Sequence, residues 1–461
     1  MLGRQLEYQS LKTVLLHMDA NVRFQISLHM PSIRSVEKIV PLKVNYLQMD
    51  DHTTYINDTT YRLGMIRHYP DGNTPEPIKW FNNIGGYHRD YDKFGFADVS
   101  GDKVWLPGDV SLKRDDWVPL QTNDTEEDER RYRDQLRTLE RALETLNELK
   151  SKEETVDDYL KSLETIPNDE FTDERNKTKD VLYYSPDNLR SRIESTNRDL
   201  LPFDCRRYNR KPPFTCYIQF IIETGESRLI QRFEYTKKIY EAAKHLNGFL
   251  FGSRTMPIQL RNLDLNNNFN GIVRLPVGFR MQVNTADLYY NRVTNKSLPS
   301  IVENWESLNS LWIYSFMDHS IAPQSTIVRN AKQLVIEDTD AKYLQTLVAD
   351  IRDLTNLEIW VFPEKEEMNF LPCDYFQLIF AWLNEERRVG SCFGIGMEDE
   401  ETAKRVVQLV RTHYACTDRT ERFLTAITKN SAEMEVYYAV SLVEQDSENI
   451  NILKMRIIKT G

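Results

Sequence analysis

Long apolar runs, paired cysteines and catalytic signatures are all scarce in this chain of 461 residues. No apolar stretch approaches the roughly 18 residues needed to cross a bilayer, so no membrane partner is expected. The opening, Met1 to Ser10, lacks the basic-then-apolar plan of a secretory leader. The five cysteines, Cys205, Cys216, Cys373, Cys392 and Cys416, are odd in number, widely scattered and without a CxxC pair. That pattern argues against a zinc site and a disulfide framework, and it fits a reducing cytosol or nucleus. In that setting Asn57-Asp58-Thr59 and Asn176-Lys177-Thr178 are chance glycosylation sequons. The eight histidines form no HExxH pair, and no GxSxG elbow is present. Gly85-Gly86 is followed by no Lys-Ser/Thr and sits in no GxGxxG frame, so a tight turn is expected there rather than a phosphate cradle. No catalytic residue, metal or cofactor is expected.

The balance of what is present is that of a globular protein, with 40% hydrophobic and 28% charged residues. A net charge of −11 disfavours a broad nucleic-acid surface. Length alone suggests about three domains of roughly 150 residues.

Residues 10–40 read as three short helices. Leu11, Val14, Leu15 and Met18 fall on one stripe, Phe24 and Leu28 lie on a second segment, and Pro31 ends it. A strand follows, with Val44, Leu47 and Met49 among its candidate core positions. Pro41 to Met49 matches Pro257 to Leu265 in pattern, and a helical stretch precedes each, as if one helix–turn–strand unit were used twice. Residues 51–123 are rich in turn signals and read as β-rich. From Glu126 to about Glu164 the chain is dense in charge and leucine. Tyr132, Leu136, Leu139, Leu143 and Leu146 form a seam that stops short of the three to four heptads of a sustained coiled coil. A long helix over 124–166 is expected, with a second near Val156 to Leu163; a dimerising zipper is the alternative. Residues 167–213 are polar, close on Pro212-Pro213 and read as a linker.

Five apolar tetrads recur in the remainder, 214–461. They begin at Asn262, Asp287, Ser310, Gln333 and Asn356, and their first leucines lie 25, 23, 23 and 23 residues apart. A period in the twenties with one short strand per unit is the pattern of leucine-rich solenoids, whose units must stack to bury their apolar faces. Alternation along such strands turns the leucines inward. Asp264, Tyr289, Trp312, Tyr314, Glu358 and Trp360 are then the outward set. Aromatics among carboxylates on one wide face suit a protein target, since Trp and Tyr offer rigid contact area; a covering loop near Asn266–Asn270 would bury some of them instead. Strands near Glu435–Val443 and Ile450–Ile458 would cap the stack. The expected class is mixed α+β and α/β.

Several blocks carry a family resemblance. "YQSLKTVLLHMDANVRFQISLHMPSIRSVEKIVPLKVNYLQM", "INDTTYRLGMIRHYPDGNTPEP", "YDKFGF", "LPGDV", "LFGSRTMPIQLRNLDL" and "RLPVGFRMQV" occur in this order, across most of the chain outside 124–200. The series resembles the nematode-expanded F-box C-related proteins. The resemblance implies an F-box-like module within 1–50 that docks a Skp-type linker protein and so a cullin assembly. It also implies a C-terminal receptor for a ubiquitylation target. Docking would use Leu11, Val14, Leu15, Met18, Phe24, Leu28 and Pro31. The same residues could instead pack on the following strand and sheet. The chain departs from an ordinary F-box in having Gln5-Leu6-Glu7-Tyr8 where a Leu-Pro opening would stand. The expected function is that of a substrate-recognition adaptor of an SCF-type ubiquitin ligase, with a plain interaction scaffold as the alternative.

Overall fold

The two matching strings, Pro41–Met49 and Pro257–Leu265, lie side by side. In the computed structural model β1 (Lys43–Met49) pairs in parallel with β9 (Ile258–Leu265), Val44 opposite Leu260 and Leu47 opposite Leu263. That is the alignment the strings share, so the first strand is laid against its echo across some two hundred intervening residues. The structure describes residues 8–459 except 51, 113–121, 165–178, 180, 266–270, 290–295, 315–324, 340–353, 355, 364–370, 385, 398, 421, 429–431 and 443–448.

Around this pair, among the described residues, grows one mixed sheet of fifteen strands with β8 and β16 at its two edges. On one side of β1 lie β2 (Thr53–Ile56), β3 (Thr59–His68), β7 (Thr215–Thr224) and the edge strand β8 (Ser227–Glu234), all antiparallel. Beyond β9 the sheet is parallel and in chain order through β11 (Met281–Tyr289), β12 (Ser310–Tyr314), β13 (Gln333–Thr339), β14 (Glu358–Pro363) and β15 (Cys392–Met397). It finishes antiparallel with β19 (Asn449–Ile458), β18 (Glu433–Leu442), β17 (Phe423–Ile427) and the second edge, β16 (Cys416–Thr420). The short pairs β4 (Asp90–Tyr91) with β5 (Ala97–Asp98), and β6 (Val110–Ser111) with β10 (Ile272–Val273), stand apart.

Successive parallel strands put Leu47, Leu263, Ala286, Leu311, Leu334, Ile359 and Phe393 opposite one another in a single row. None of the seven is exposed. Leu265, Leu288, Ile313, Ile336, Val361 and Ile395 form the adjacent row, also buried. Each large side chain so buried contributes about 2 kcal/mol of transfer free energy, which makes these rows the chief cohesion of the parallel array. Helices and turns cover them: Trp305, Ile327, Val328, Tyr375, Trp382, Val406 and Val410 belong to the same core. Between units, buried Asn356 donates to the carbonyls of Val328 and Ala331, and Asn304 exchanges two bonds with the backbone of Val283.

Of the three N-terminal helices, Tyr8–His17, Ala20–His29 and Arg34–Ile39, buried charge ties the second and third to each other and to the helix Ile239–Phe251 and the turn after it. Arg23 donates to Glu37 and to the carbonyls of Glu37, Val40 and Pro41, and Arg254 reaches the same Glu37 carboxylate at 2.8 Å. Lys38 donates to the carbonyls of Phe249 and Leu250 at the end of the helix Ile239–Phe251.

The expected long helix is Glu126–Lys152, opened by a Thr125–Asp128 capping box, with a second helix at Val156–Glu164. Its apolar seam is used within the chain. Leu139 and Ala142 pack with Leu182 and Leu189, and Tyr132 and Leu136 with Leu200 and Phe203. The partner is the helix Pro186–Arg207, antiparallel to it and tied by Arg133 to Asp204 and by Arg207 to Glu129. This helix lies where a polar linker was expected. Its stripe of Leu189, Ile193, Thr196, Leu200 and Phe203 is diluted by charge and holds Pro202, so composition concealed it. The expected boundary between that helix pair and the linker, at 166–167, lies outside the described residues. Gly85, expected in a turn between strands, instead ends the helix Glu76–Ile84. No helix among the described residues is long and apolar enough to cross a membrane.

Candidate protein-binding face

The parallel strands turn every second residue away from the core. One outward row runs Gln48, Asp264, Asp287, Trp312, Val335, Trp360, Gly394 and Lys454. The next holds Tyr46, Asn262, Thr285, Ser310, Gln333, Glu358, Cys392 and Arg456. Neighbouring strands are spaced by about 4.8 Å, so Trp312 and Trp360 stand about 10 Å apart with Val335 between them. Val335 is buried while both tryptophans are partly exposed. Gly394 lets the Trp360 ring lie flat, because a Cβ there would sit 2.4 Å from the indole. Lys454 approaches that ring at 5.1 Å.

A line of hydrogen bonds fixes the row beneath. Trp312 Nε1 donates to Ser310 Oγ, Ser310 Oγ to Gln333 Oε1, and Gln333 Nε2 to Glu358 Oε2. At the other end Tyr46 OH donates to Asp264 Oδ2 at 2.5 Å. Burial, then this hydrogen bond, raises the Tyr46 hydroxyl well above the ordinary phenol range.

Between the two ends the charge is crowded. Burial, then the neighbouring carboxylates of Asp264 and Glu337, push the Asp287 carboxyl up to about 8. Asp287 Oδ1 and Trp360 Nε1 are both buried without a hydrogen-bond partner among the described residues. A buried polar atom without a partner requires a physical account, and an incoming donor and acceptor would supply one. Among the described residues no group of three or more His, Cys, Asp or Glu could hold a metal ion.

The expected face is brought together only in part. Asp264, Trp312, Glu358 and Trp360 do share the outward surface. Tyr289 and Tyr314 are opposite each other in the backbone register, but their side chains, like the loop at Asn266–Asn270, lie outside what is described. Asp287, Val335 and Glu337 are additions. The tetrads had aligned Leu288 with Leu263, whereas Leu288 pairs with Leu265 and Ala286 takes the leucine's place. Leu357, expected inward, is exposed, and Ile359 fills the slot opposite Leu334. The shared Asp-Leu dipeptides at 264–265 and 287–288 were the signal for the true register.

The seven expected docking residues divide. Leu15 and Phe24 are buried, Phe24 against Tyr61 and Phe251 at ring distances of 6.5 and 6.3 Å. Leu11 and Met18 are half-buried, and Val14, Leu28 and Pro31 are exposed. Val22 and Met30, not singled out in the sequence, are exposed beside them.

Residues 238–399 match the family described as Domain of unknown function (DUF3557), about a third of the chain. The match runs from the helix Ile239–Phe251 through β15, so the outward surface from Asp264 to Trp360 falls inside it. No curated protein and no solved structure matches the chain.

Proposed function

We propose that this chain is a non-catalytic receptor that binds a basic segment of a protein target on the outer surface of β9 to β14. The observation that carries the reading is the row Asp264–Asp287–Trp312–Val335–Trp360. Two carboxylates stand side by side there and lead into two indoles separated by Val335, and Asp287 Oδ1 and Trp360 Nε1 have no hydrogen-bond partner among the described residues. An arginine-bearing strand would pair with the carboxylates and lie across the indoles. In the same reading the parallel array is an irregular leucine-rich-like solenoid. The chain-order stacking of one strand per 23–25 residues from Leu263 to Ile359 supports this.

The fuller role is substrate recognition for an SCF-type ligase. Val14, Leu28, Met30 and Pro31, exposed on the N-terminal helices, would meet a Skp-type linker protein and so the cullin assembly, and proximity would raise the target's effective concentration. An interaction scaffold with no ubiquitin link is the second reading, favoured by the burial of Leu15 and Phe24.

Titrating arginine-rich, neutral and glutamate-rich peptides against intrinsic tryptophan fluorescence tests the receptor. Only the basic set should bind, and Trp312→Ala with Asp264→Asn should abolish it; charge-blind binding would sink the idea. For the ligase role, co-purification with a Skp-type linker should be lost in a folded Val14→Asp, Leu28→Asp variant. An intact chain that does not bind the linker leaves the scaffold.

A further inference from the structure

The sheet ends differently on its two sides. The β16 edge has five residues, and its pairing breaks register between Asp418 and Thr420. The β8 edge runs eight residues in unbroken register with β7, and every one of them is exposed. It contains no proline, lysine or bulge to blunt it, and its charged side chains are Arg228, Arg232 and Glu234. Leu229 and Phe233 are each 50% exposed and Ile230 42%. On the Ile230 side, Arg228 donates to the carbonyl of Asn83 in the helix Glu76–Ile84, whose Trp80 and Ile84 are exposed as well.

The backbone parity of β8 restricts what can add to it. Gly225-Glu226 is a two-residue turn, so Thr224 and Ser227 close the hairpin with mutual main-chain bonds. Counting from there, 227, 229, 231 and 233 bond toward β7, while 228, 230, 232 and 234 direct their N–H and C=O groups outward. A second copy related by a two-fold axis must therefore match even residues with even ones. Centring the pair on Ile230 sets Arg228 against the partner's Arg232. Centring it on Arg232 sets that arginine against itself. Centring it on Gln231 places Arg228 opposite the partner's Glu234, Leu229 opposite the partner's Phe233, and Ile230 opposite the partner's Arg232, each contact made twice. This third register uses seven of the eight residues.

We propose that the chain forms a two-fold homodimer by antiparallel pairing of β8 with β8 of a second copy, in the register centred on Gln231. The two sheets become continuous, the charges are complementary across the junction, and Leu229 and Phe233 cover each other. This surface lies five strands beyond β9, at the sheet's edge, and is independent of the target-binding reading.

Sedimentation equilibrium of the full chain tests the proposal. The expected mass approaches twice the 54.4 kDa of one chain as concentration rises toward about 100 µM. Ile230→Pro removes only an outward N–H and should give a folded monomer. Glu234→Arg and Arg228→Glu should each weaken self-association by about tenfold, and mixing the two should restore it, because every Arg–Glu pair is then re-formed between unlike chains. A chain that stays monomeric, a dimer that survives Ile230→Pro, or charge variants that fail to pair on mixing would each overturn the proposal.

Discussion

Replacing Asp287 by asparagine leaves the shape of the outer face intact and removes its most crowded charge. In the folded chain this carboxyl is raised from an ordinary 3.8 to about 8, so below about pH 4 it is protonated folded or unfolded and contributes no difference. Between those values the unfolded chain releases the proton while the folded chain holds it, so stability falls as pH rises. Above about 8 the full cost is present and constant. At about 1.4 kcal/mol per pH unit the ceiling is about 6 kcal/mol. The side chain is partly exposed, and solvent screening together with the ordinary cost of one unsatisfied polar group brings the working figure to about 2 kcal/mol. The asparagine amide does not titrate and can donate toward Asp264. Urea unfolding of both proteins at about pH 5 and about pH 9 measures the difference. The variant should gain little at the acid end and about 2 kcal/mol at the basic end. Parallel pH profiles would refute the crowding of Asp264, Asp287 and Glu337.

Glu37→Gln leaves the buried guanidinium groups of Arg23 and Arg254 without their common anion, and should lower the unfolding free energy by about 3 kcal/mol. A loss below about 1 kcal/mol would mean that the carbonyls of Glu37, Val40 and Pro41 suffice to hold Arg23. Gly64→Ala would bring a Cβ to 1.9 Å from the backbone oxygen of Gly85 and should prevent folding or cost more than about 3 kcal/mol. Gly248→Ala, in a helix with nothing within 4 Å, should be neutral or stabilise by up to about 1 kcal/mol; thermal melts compare the pair. Gly394→Ala should displace the Trp360 indole, shifting tryptophan emission and weakening basic-peptide binding while the fold remains.

Several elements were legible in the chain before folding was considered. The N-terminal helices, the Glu126–Lys152 helix and the strands of the tetrads follow from apolar spacing, because periodicity reports which face of a local element meets a core. The likeness of Pro41–Met49 to Pro257–Leu265 was legible as one unit used twice, but that β1 and β9 lie side by side was not, because nothing local to either strand specifies its neighbour. The helix Pro186–Arg207 was not, because its stability comes from Leu136, Leu139 and Ala142 on another helix and from ion pairs such as Arg133–Asp204. Neither was the division of the docking stripe, where Leu15 and Phe24 turn inward while Val14 and Leu28 remain outside.

What the amino-acid order determined by itself was local: which segments are helix or strand, that the apolar positions recur in the twenties, and that acid and aromatic side chains alternate with them. Which strands are neighbours, and hence which side chains share a surface, was decided only in three dimensions. A slot two residues away on a strand keeps the same face but changes the partner, and Ala286, too small to mark a repeat, holds the place that sets Asp287 between Asp264 and Trp312. The exposed β8 edge is likewise a property of the assembled sheet, because β8 is an edge only in that no other strand among the described residues lies beyond it.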